Sequence, residues 1–215
     1  MKAPLVTLAL GAIALFSAAL PAPAFNPEHL EQLQRTKQCR DCDLSGADLS
    51  GLNLTRAELR FADLSGANLR GANLFQAALR GANLTQASLQ EANLTQVSLR
   101  SATLSGADLT RADLTNADLS SSVLDGADFS YANLTRAILM TARSLAGTNF
   151  SHATLMRTNF AGLDLRDAIF TGAAFSETNL SLANLEGLVL LDTSLDNTFT
   201  CGATLPDGSR APYCQ

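Results

Sequence analysis

Residues 62–86 read ADLSG ANLRG ANLFQ AALRG ANLTQ, five units of five in which Ala62, Ala67, Ala72, Ala77 and Ala82 open each unit and Leu64, Leu69, Leu74, Leu79 and Leu84 stand at its centre. The frame extends in both directions. Centres fall every five residues from Leu44 to Leu139, twenty in all, of which nineteen are Leu and one is Phe129. Two residues before the centre, sixteen of the twenty positions are Ala; the exceptions are Cys42, Leu52, Val97 and Ser122. A second run follows in a shifted frame: Leu145, Phe150, Leu155, Phe160, Leu165, Phe170, Phe175, Leu180, Leu185, Leu190 and Leu195. The step from Leu139 to Leu145 is six, so one residue is inserted around Met140 to Ser144.

The period decides the conformation. Residues five apart on an α-helix are rotated by about 140° and share no face. On a flat strand an odd spacing sends successive centres to opposite sides. The chain must therefore bend once per unit, returning each Ala and Leu to one interior. Bends of one sense make a coil, and coils stacked about 4.8 Å apart can pair their backbones. Gly46, Gly66, Gly71, Gly81, Gly106 and Gly126 stand beside the bends, where permissive backbone is needed.

Tandem A(D/N)LXX units resemble those of the pentapeptide-repeat family, over about 155 residues from Asp43 to Thr200. The resemblance implies an all-β fold, a right-handed quadrilateral β-helix with four units per coil. Two series at a spacing of twenty agree with that number: Arg40, Arg60, Arg80 and Arg100, and Asn53, Asn73, Asn93 and Asn133, interrupted by Asp113. Thirty-one centres make close to eight coils, a rod about 37 Å long at strand spacing.

Around this rod, residues 1–24 read as a secretory signal peptide. Lys2 precedes an uncharged apolar run from Leu5 to Leu20, and Ala22-Pro23-Ala24 offers small residues for cleavage. No membrane span is expected once it is removed. Residues 25–42 form an N-terminal cap, in which Asn26-Pro27-Glu28 starts a short helix running to about residue 37 with Leu30 and Leu33 as its apolar stripe. The repeat occupies 43–200, and residues 201–215, with Pro206-Asp207-Gly208 and Pro212, make turns over the other end.

Four cysteines in an exported chain favour disulfides. Cys39 and Cys42 stand at one end of the rod and Cys201 and Cys214 at the other. The rod's length separates the pairs by far more than the 7 Å or so that bridged Cα atoms span, which leaves Cys39 with Cys42 and Cys201 with Cys214. A zinc site built from all four is excluded on the same ground. Cys39-Arg40-Asp41-Cys42 also has the spacing of a redox-active pair, but lacks the βαβ context of such motifs.

The acids recur mainly just before the centre, as in Asp48, Asp63, Asp108, Asp113 and Asp118, at a position elsewhere held by Asn. Local turn hydrogen bonding tolerates that interchange; proton transfer does not. His29 falls in the cap and His152 on an outward position, so they form no cluster, and each reads as a surface side chain. No nucleophile elbow, phosphate loop or dinucleotide fingerprint occurs. No catalytic residue, metal or cofactor is expected.

The expected function is a non-enzymatic, exported scaffold or interaction module. It resembles the pentapeptide-repeat proteins of the periplasm or thylakoid lumen, which share a K-x-C-x-x-C-D-L run like Lys37 to Leu44. Two alternatives stand beside it. One is the DNA-mimicking, gyrase-binding type of the family. Against it, the 16 acids between residues 43 and 200 are interspersed with 10 Arg, far from the one charge per about 1.7 Å of a duplex. The other is a redox-responsive protein acting through Cys39 and Cys42. The whole chain has 15 basic and 20 acidic side chains, which argues against a nucleic-acid partner. The Arg series is the candidate interaction surface: Arg60, Arg80 and Arg100, with Arg40 extending the line, would stack on one edge, where their stems either fan out over small neighbours and stay solvated or meet a protein or other anionic partner through carboxylate or phosphate groups.

Overall fold

The computed structural model describes residues 25–212; the expected signal peptide and Cys214 lie outside the described residues. Parallel bridges join positions twenty apart without interruption from Gln38↔Glu58 to Asp118↔Ile138. Four five-residue units therefore complete one turn of the coil, and the rod has four sides. We name each side by the outward residues preceding its centres. The first carries Glu58, Ala78, Ser98 and Asp118, the second Asp63, Asn83, Thr103 and Val123, the third Asn68, Ser88, Asp108 and Asp128, and the fourth Asn73, Asn93, Asp113 and Asn133.

One unit shows why this sequence closes the coil. In Ala62–Gly66 every backbone N–H has an acceptor. Ala62 donates to Leu59 O across the turn (3.2 Å), Asp63 to Cys42 O of the coil before (2.8 Å), and Leu64 and Gly66 to Asn83 O and Thr85 O of the coil after (2.7 and 2.8 Å). The fifth, Ser65 N–H, points away from both neighbours and donates to Oδ1 of Asp63 (3.0 Å). An Asp or Asn before the centre is thus the acceptor that completes the set, as the interchange of the two residues in the sequence implies. The second residue after nearly every centre has positive φ, as in Gly66 (64°), Phe61 (59°), Gln76 (56°) and Tyr131 (61°), with Asp167 the exception. That is the third position of a turn that favours Gly.

The interior is one continuous cluster in which centre and Ala positions are buried along nearly the whole rod. From Phe129 onward, and mostly beyond the register shift, its composition changes. Phe129, Phe150 and Phe170 stack in a column with centroids 5.2 Å apart, and Phe160 meets Phe150 edge-on. Beside these larger rings, buried Thr148, Thr158 and Thr178 replace Ala. Their hydroxyls donate to Leu124 O, Leu134 O and Leu155 O of the preceding coil at 2.9, 2.7 and 2.6 Å, so no polar atom is left unpaired.

The inserted residue is taken up as a β-bulge. Arg143 N–H donates to Ser122 O while Ser144 O accepts from Leu124 N–H, so two residues oppose Val123. The bridges then run at twenty-one from Val123↔Ser144 to Ile138↔Asn159, and at twenty again from Asn149↔Ile169. Asp125 secures the bulge by accepting from the Ser144 hydroxyl and from Ala146 N–H. On the far side of the bulge the ladder opens. Among the described residues neither Leu145 N–H nor Asp164 N–H makes a ladder bond, and a cleft of about 280 Å³ lies there between Arg143, Leu145, Leu163, Asp164 and Asp167.

Both ends are covered. Helix α1, Pro27–Thr36, has Asn26 as N-cap, its side chain accepting from Glu28 N–H (2.9 Å), and closes at Lys37, whose N–H donates to Leu33 O (2.9 Å). Buried Leu33 and half-buried Leu30 face the first coil. That coil begins at Gln38, earlier than the first Leu centre, because Cys39 takes a centre position and Cys42 an Ala position. At the other end, Thr204 pairs antiparallel with Arg210, and Gly202 N–H donates to Pro212 O.

Candidate interaction surfaces

The Arg series lies on one edge. Asp41 N–H donates to Arg60 O, Phe61 N–H to Arg80 O and Gly81 N–H to Arg100 O, each near 3.0 Å, which places Arg40, Arg60, Arg80 and Arg100 at equivalent points of four consecutive coils. Their side chains do not simply fan into solvent. Arg60 forks onto Glu58, with Nη2 to Oε2 at 2.7 Å, and Arg100 Nη1 meets Asp118 Oδ2 at 3.1 Å. Arg40 Nε lies 3.3 Å from Asp41 Oδ2, with its guanidinium 5.4 Å above the Phe61 ring. Among the described residues, Arg80 has no carboxylate partner. The Arg60 hydrogen bond holds the Glu58 carboxyl below its ordinary range. Burial would raise Asp118, but Ser120 and Arg100 together hold it lower.

Between this edge and the next corner, the first side is flat at Ala78 and Ser98. Its other margin is a ladder in which Arg56 Nε donates to Gln76 Oε1 (2.9 Å) and Gln76 Nε2 to Gln96 Oε1 (2.7 Å). The first side is therefore a shallow strip with guanidinium groups on one margin and, beyond Arg56, the amides of Gln76 and Gln96 on the other.

The diagonally opposite edge carries a column that sequence reasoning missed. The Arg111 guanidinium lies 5.6 Å over the Tyr131 ring, which stacks on the His152 imidazole at 4.9 Å and 15°. His152 covers Gly172, where an added Cβ would sit 2.5 Å from the imidazole. The signal was present: positions 111, 131, 152 and 172 follow the coil length, with one extra step at the insertion. His152 is thus more than an isolated surface side chain. Nor is His29 one, for its Nδ1 accepts from Asp43 N–H (2.9 Å) and fastens α1 to the first coil.

Cys39 and Cys42 are joined, with Cα atoms 5.3 Å apart, and the bond is buried beneath α1 with Cys39 Sγ 3.2 Å from His29 O. This pairing excludes a bond from either of them to Cys214. Cys201 is also in a disulfide. Among the described residues no group of three His, Cys, Asp or Glu side chains is placed to hold a metal ion, and no helix is long and apolar enough to cross a membrane. Every carboxylate shift resolved is downward, as at Asp43, Asp48, Asp164 and Glu177, through hydrogen bonds from Ser45, Ser50, Arg166 and Arg157 respectively. These groups are anions at neutral pH, suited to turn closure and ion pairing.

Comparison with known proteins agrees with the register. The family model for pentapeptide repeats matches eight copies over residues 38–76, 77–116, 104–139, 140–172 and 168–205. Among solved structures, the pentapeptide repeat protein Rfr23 of the cyanobacterium Cyanothece is 28% identical over 56% of this chain and 96% of its own, with a TM-score of 0.54. HetL, a pentapeptide repeat protein involved in heterocyst differentiation regulation in the cyanobacterium Nostoc, is 35% identical over 81% of this chain and 87% of its own, with a TM-score of 0.33. A pentapeptide repeat protein of the Arabidopsis thaliana thylakoid lumen is 29% identical over 75% and 70%, with a TM-score of 0.20. No curated protein sequence matches. With the repeat model covering residues 38–205 and the twenty-residue coil shared along the rod, the chain belongs to the pentapeptide-repeat family.

Proposed function

We propose that this protein is a non-enzymatic, exported interaction module that presents side chains at coil spacing on a right-handed rod, and that its Arg edge receives an anionic partner. One observation carries the reading. Arg40, Arg60, Arg80 and Arg100 occupy equivalent positions in four successive coils, beside a strip kept flat by Ala78 and Ser98. Guanidinium forks at that spacing match carboxylates on an extended partner, and the carboxylates now on Arg60 and Arg100 are exchangeable surface contacts of small worth. The signal-like residues 1–24 and the resemblance to a lumenal relative support export. Cys214 is proposed as the partner of Cys201.

The alternatives are less well supported. A DNA mimic needs an unbroken acidic stripe, whereas the outward acids here alternate with Asn, Ser and Thr and are engaged in turns and ion pairs. A redox role needs a reachable bond, and Cys39 and Cys42 are 0% and 3% exposed. The test is affinity capture from the native compartment with the wild-type protein and with Arg60→Ser, Arg80→Ser, Arg100→Ser. The proposal expects a partner lost in the triple variant, with binding that weakens from 50 to 300 mM salt, roughly the range over which surface charges are screened. Equal capture by both proteins would refute the Arg edge.

A further inference from the structure

The rod is electrically lopsided. Residues 38–160 hold eleven acids and ten Arg, whereas residues 161–200 hold six acids against Arg166 alone. Two of those six are neutralised, Asp164 by Arg166 and Glu177 by Arg157. Among the described residues, Asp167, Glu186, Asp192 and Asp196 have no ion-pair partner. The same stretch changes the character of the third side. Its outward positions, polar from Asp48 through Asn149, become Ile169 and Val189, and Leu191 follows beside them. These three side chains are 48%, 67% and 59% exposed.

The backbone opens at the same place. One coil earlier, Phe150 N–H donates to Ile169 O (2.7 Å) and Ile169 N–H to Thr148 O (2.9 Å), but among the described residues the equivalent bonds from Phe170 and Val189 are missing. A cleft of about 300 Å³ lies there, lined by Arg166, Ile169, Thr171, Leu188, Val189 and Leu191 with Asp167 at its margin, the Arg166 guanidinium being engaged by Asp164. Asp167 and Glu186 stand at the corner before the apolar strip and Asp192 at the corner after it, so carboxylates flank the strip on both sides.

We propose that the end of the third side is a docking site for a cationic amphipathic segment of a partner protein, with aliphatic side chains over Ile169, Val189 and Leu191 and with Lys or Arg facing Asp167, Glu186 and Asp192. Exposed apolar patches with polar rims mark interaction sites, and opposite charge at the rim sets which partner is accepted. This is a second surface, whose partner carries the opposite charge to that expected at the Arg edge.

The probe is a helical peptide with one Leu face and one Lys face, titrated by fluorescence anisotropy onto the purified full-length protein. A Leu/Glu peptide and a Ser/Lys peptide serve as comparisons. The Leu/Lys peptide alone should bind. Binding should weaken roughly tenfold or more, as for loss of an interface anchor, in Ile169→Ser, Val189→Ser, Leu191→Ser, whose exposed positions leave the core intact. Asp167→Asn, Glu186→Gln, Asp192→Asn should also weaken it and flatten its salt dependence. The Arg60→Ser, Arg80→Ser, Arg100→Ser variant should bind as wild type, as should Glu31→Gln, Asp41→Asn, Glu91→Gln, which removes equal charge elsewhere. Equal binding of the Ser/Lys or Leu/Glu peptide, or wild-type affinity in both patch variants, would overturn the proposal. So would a self-association without peptide that the apolar triple variant abolishes, since it would assign the strip to a second copy. Loss of binding only in the Arg variant would refute this site.

Discussion

Asn73 shows what a single residue contributes. Its Oδ1 accepts from Phe75 N–H at 3.1 Å, the one backbone donor of the unit that no backbone carbonyl reaches. Asn73→Ala should lower stability in urea unfolding by about 1 kcal/mol, the usual cost of losing such an acceptor. Asn73→Asp, which keeps the oxygen and has Asn53 and Asn93 as its ladder neighbours, should change it by less than about 0.5 kcal/mol. The acids whose carboxyls are lowered give the fold a pH dependence of definite sign. Hydrogen bonds lower the Asp43 and Asp48 carboxyls in the folded chain, and ion pairs lower Glu58 and Glu177. Their contribution is complete above the unfolded-state range near pH 4 and is lost as pH falls through the lower folded values. The melting temperature should hold steady from about pH 8 to 5 and fall below about pH 4. A melting temperature that rises on acidification would contradict these assignments.

At the scale of the repeat, the interior accepts Phe at centre positions and Thr at Ala positions, the Thr hydroxyls being satisfied by carbonyls of the preceding coil. Leu84 is fully buried among Ala and Leu, so Leu84→Arg places an uncompensated charge there and removes burial worth roughly 1.5–3 kcal/mol. It should abolish the cooperative melt followed by circular dichroism. Retention of the native melt would refute the interior assignment. The bulge allows the opposite experiment. Deleting Arg143 restores the twenty-residue step, and hydrogen exchange should then slow at Leu145 and Asp164 as the open ladder closes. Unchanged exchange at both would mean that the extra residue does not hold the cleft open.

Across the whole molecule, the period, the interior positions and the place of the inserted residue were legible in the sequence because a repeated fold writes the same constraint many times. The first coil was less so: Cys39 fills a Leu position with a different residue, which breaks the visible pattern while keeping the backbone. The Arg edge was legible as a line but not as a set of contacts, since the turn of Arg60 to Glu58 and of Arg100 to Asp118 depends on rotamers that spacing does not specify. The Arg111–Tyr131–His152 column and the cleft beside Val189 depend on which side chains meet across coils, and so emerge only once the coil length is known. That length is the central claim, and engineered disulfides measure it most directly. Thr85→Cys with Ser105→Cys, twenty apart at equivalent positions, should cross-link spontaneously, because bridged Cα atoms must lie within about 7 Å. Across the bulge, Asp125→Cys should pair with Ala146→Cys, twenty-one apart. Thr85→Cys with Arg100→Cys, fifteen apart on different sides, should stay reduced under the same conditions. Mass mapping that finds the fifteen-residue pair joined and the other two open would contradict the four-sided coil.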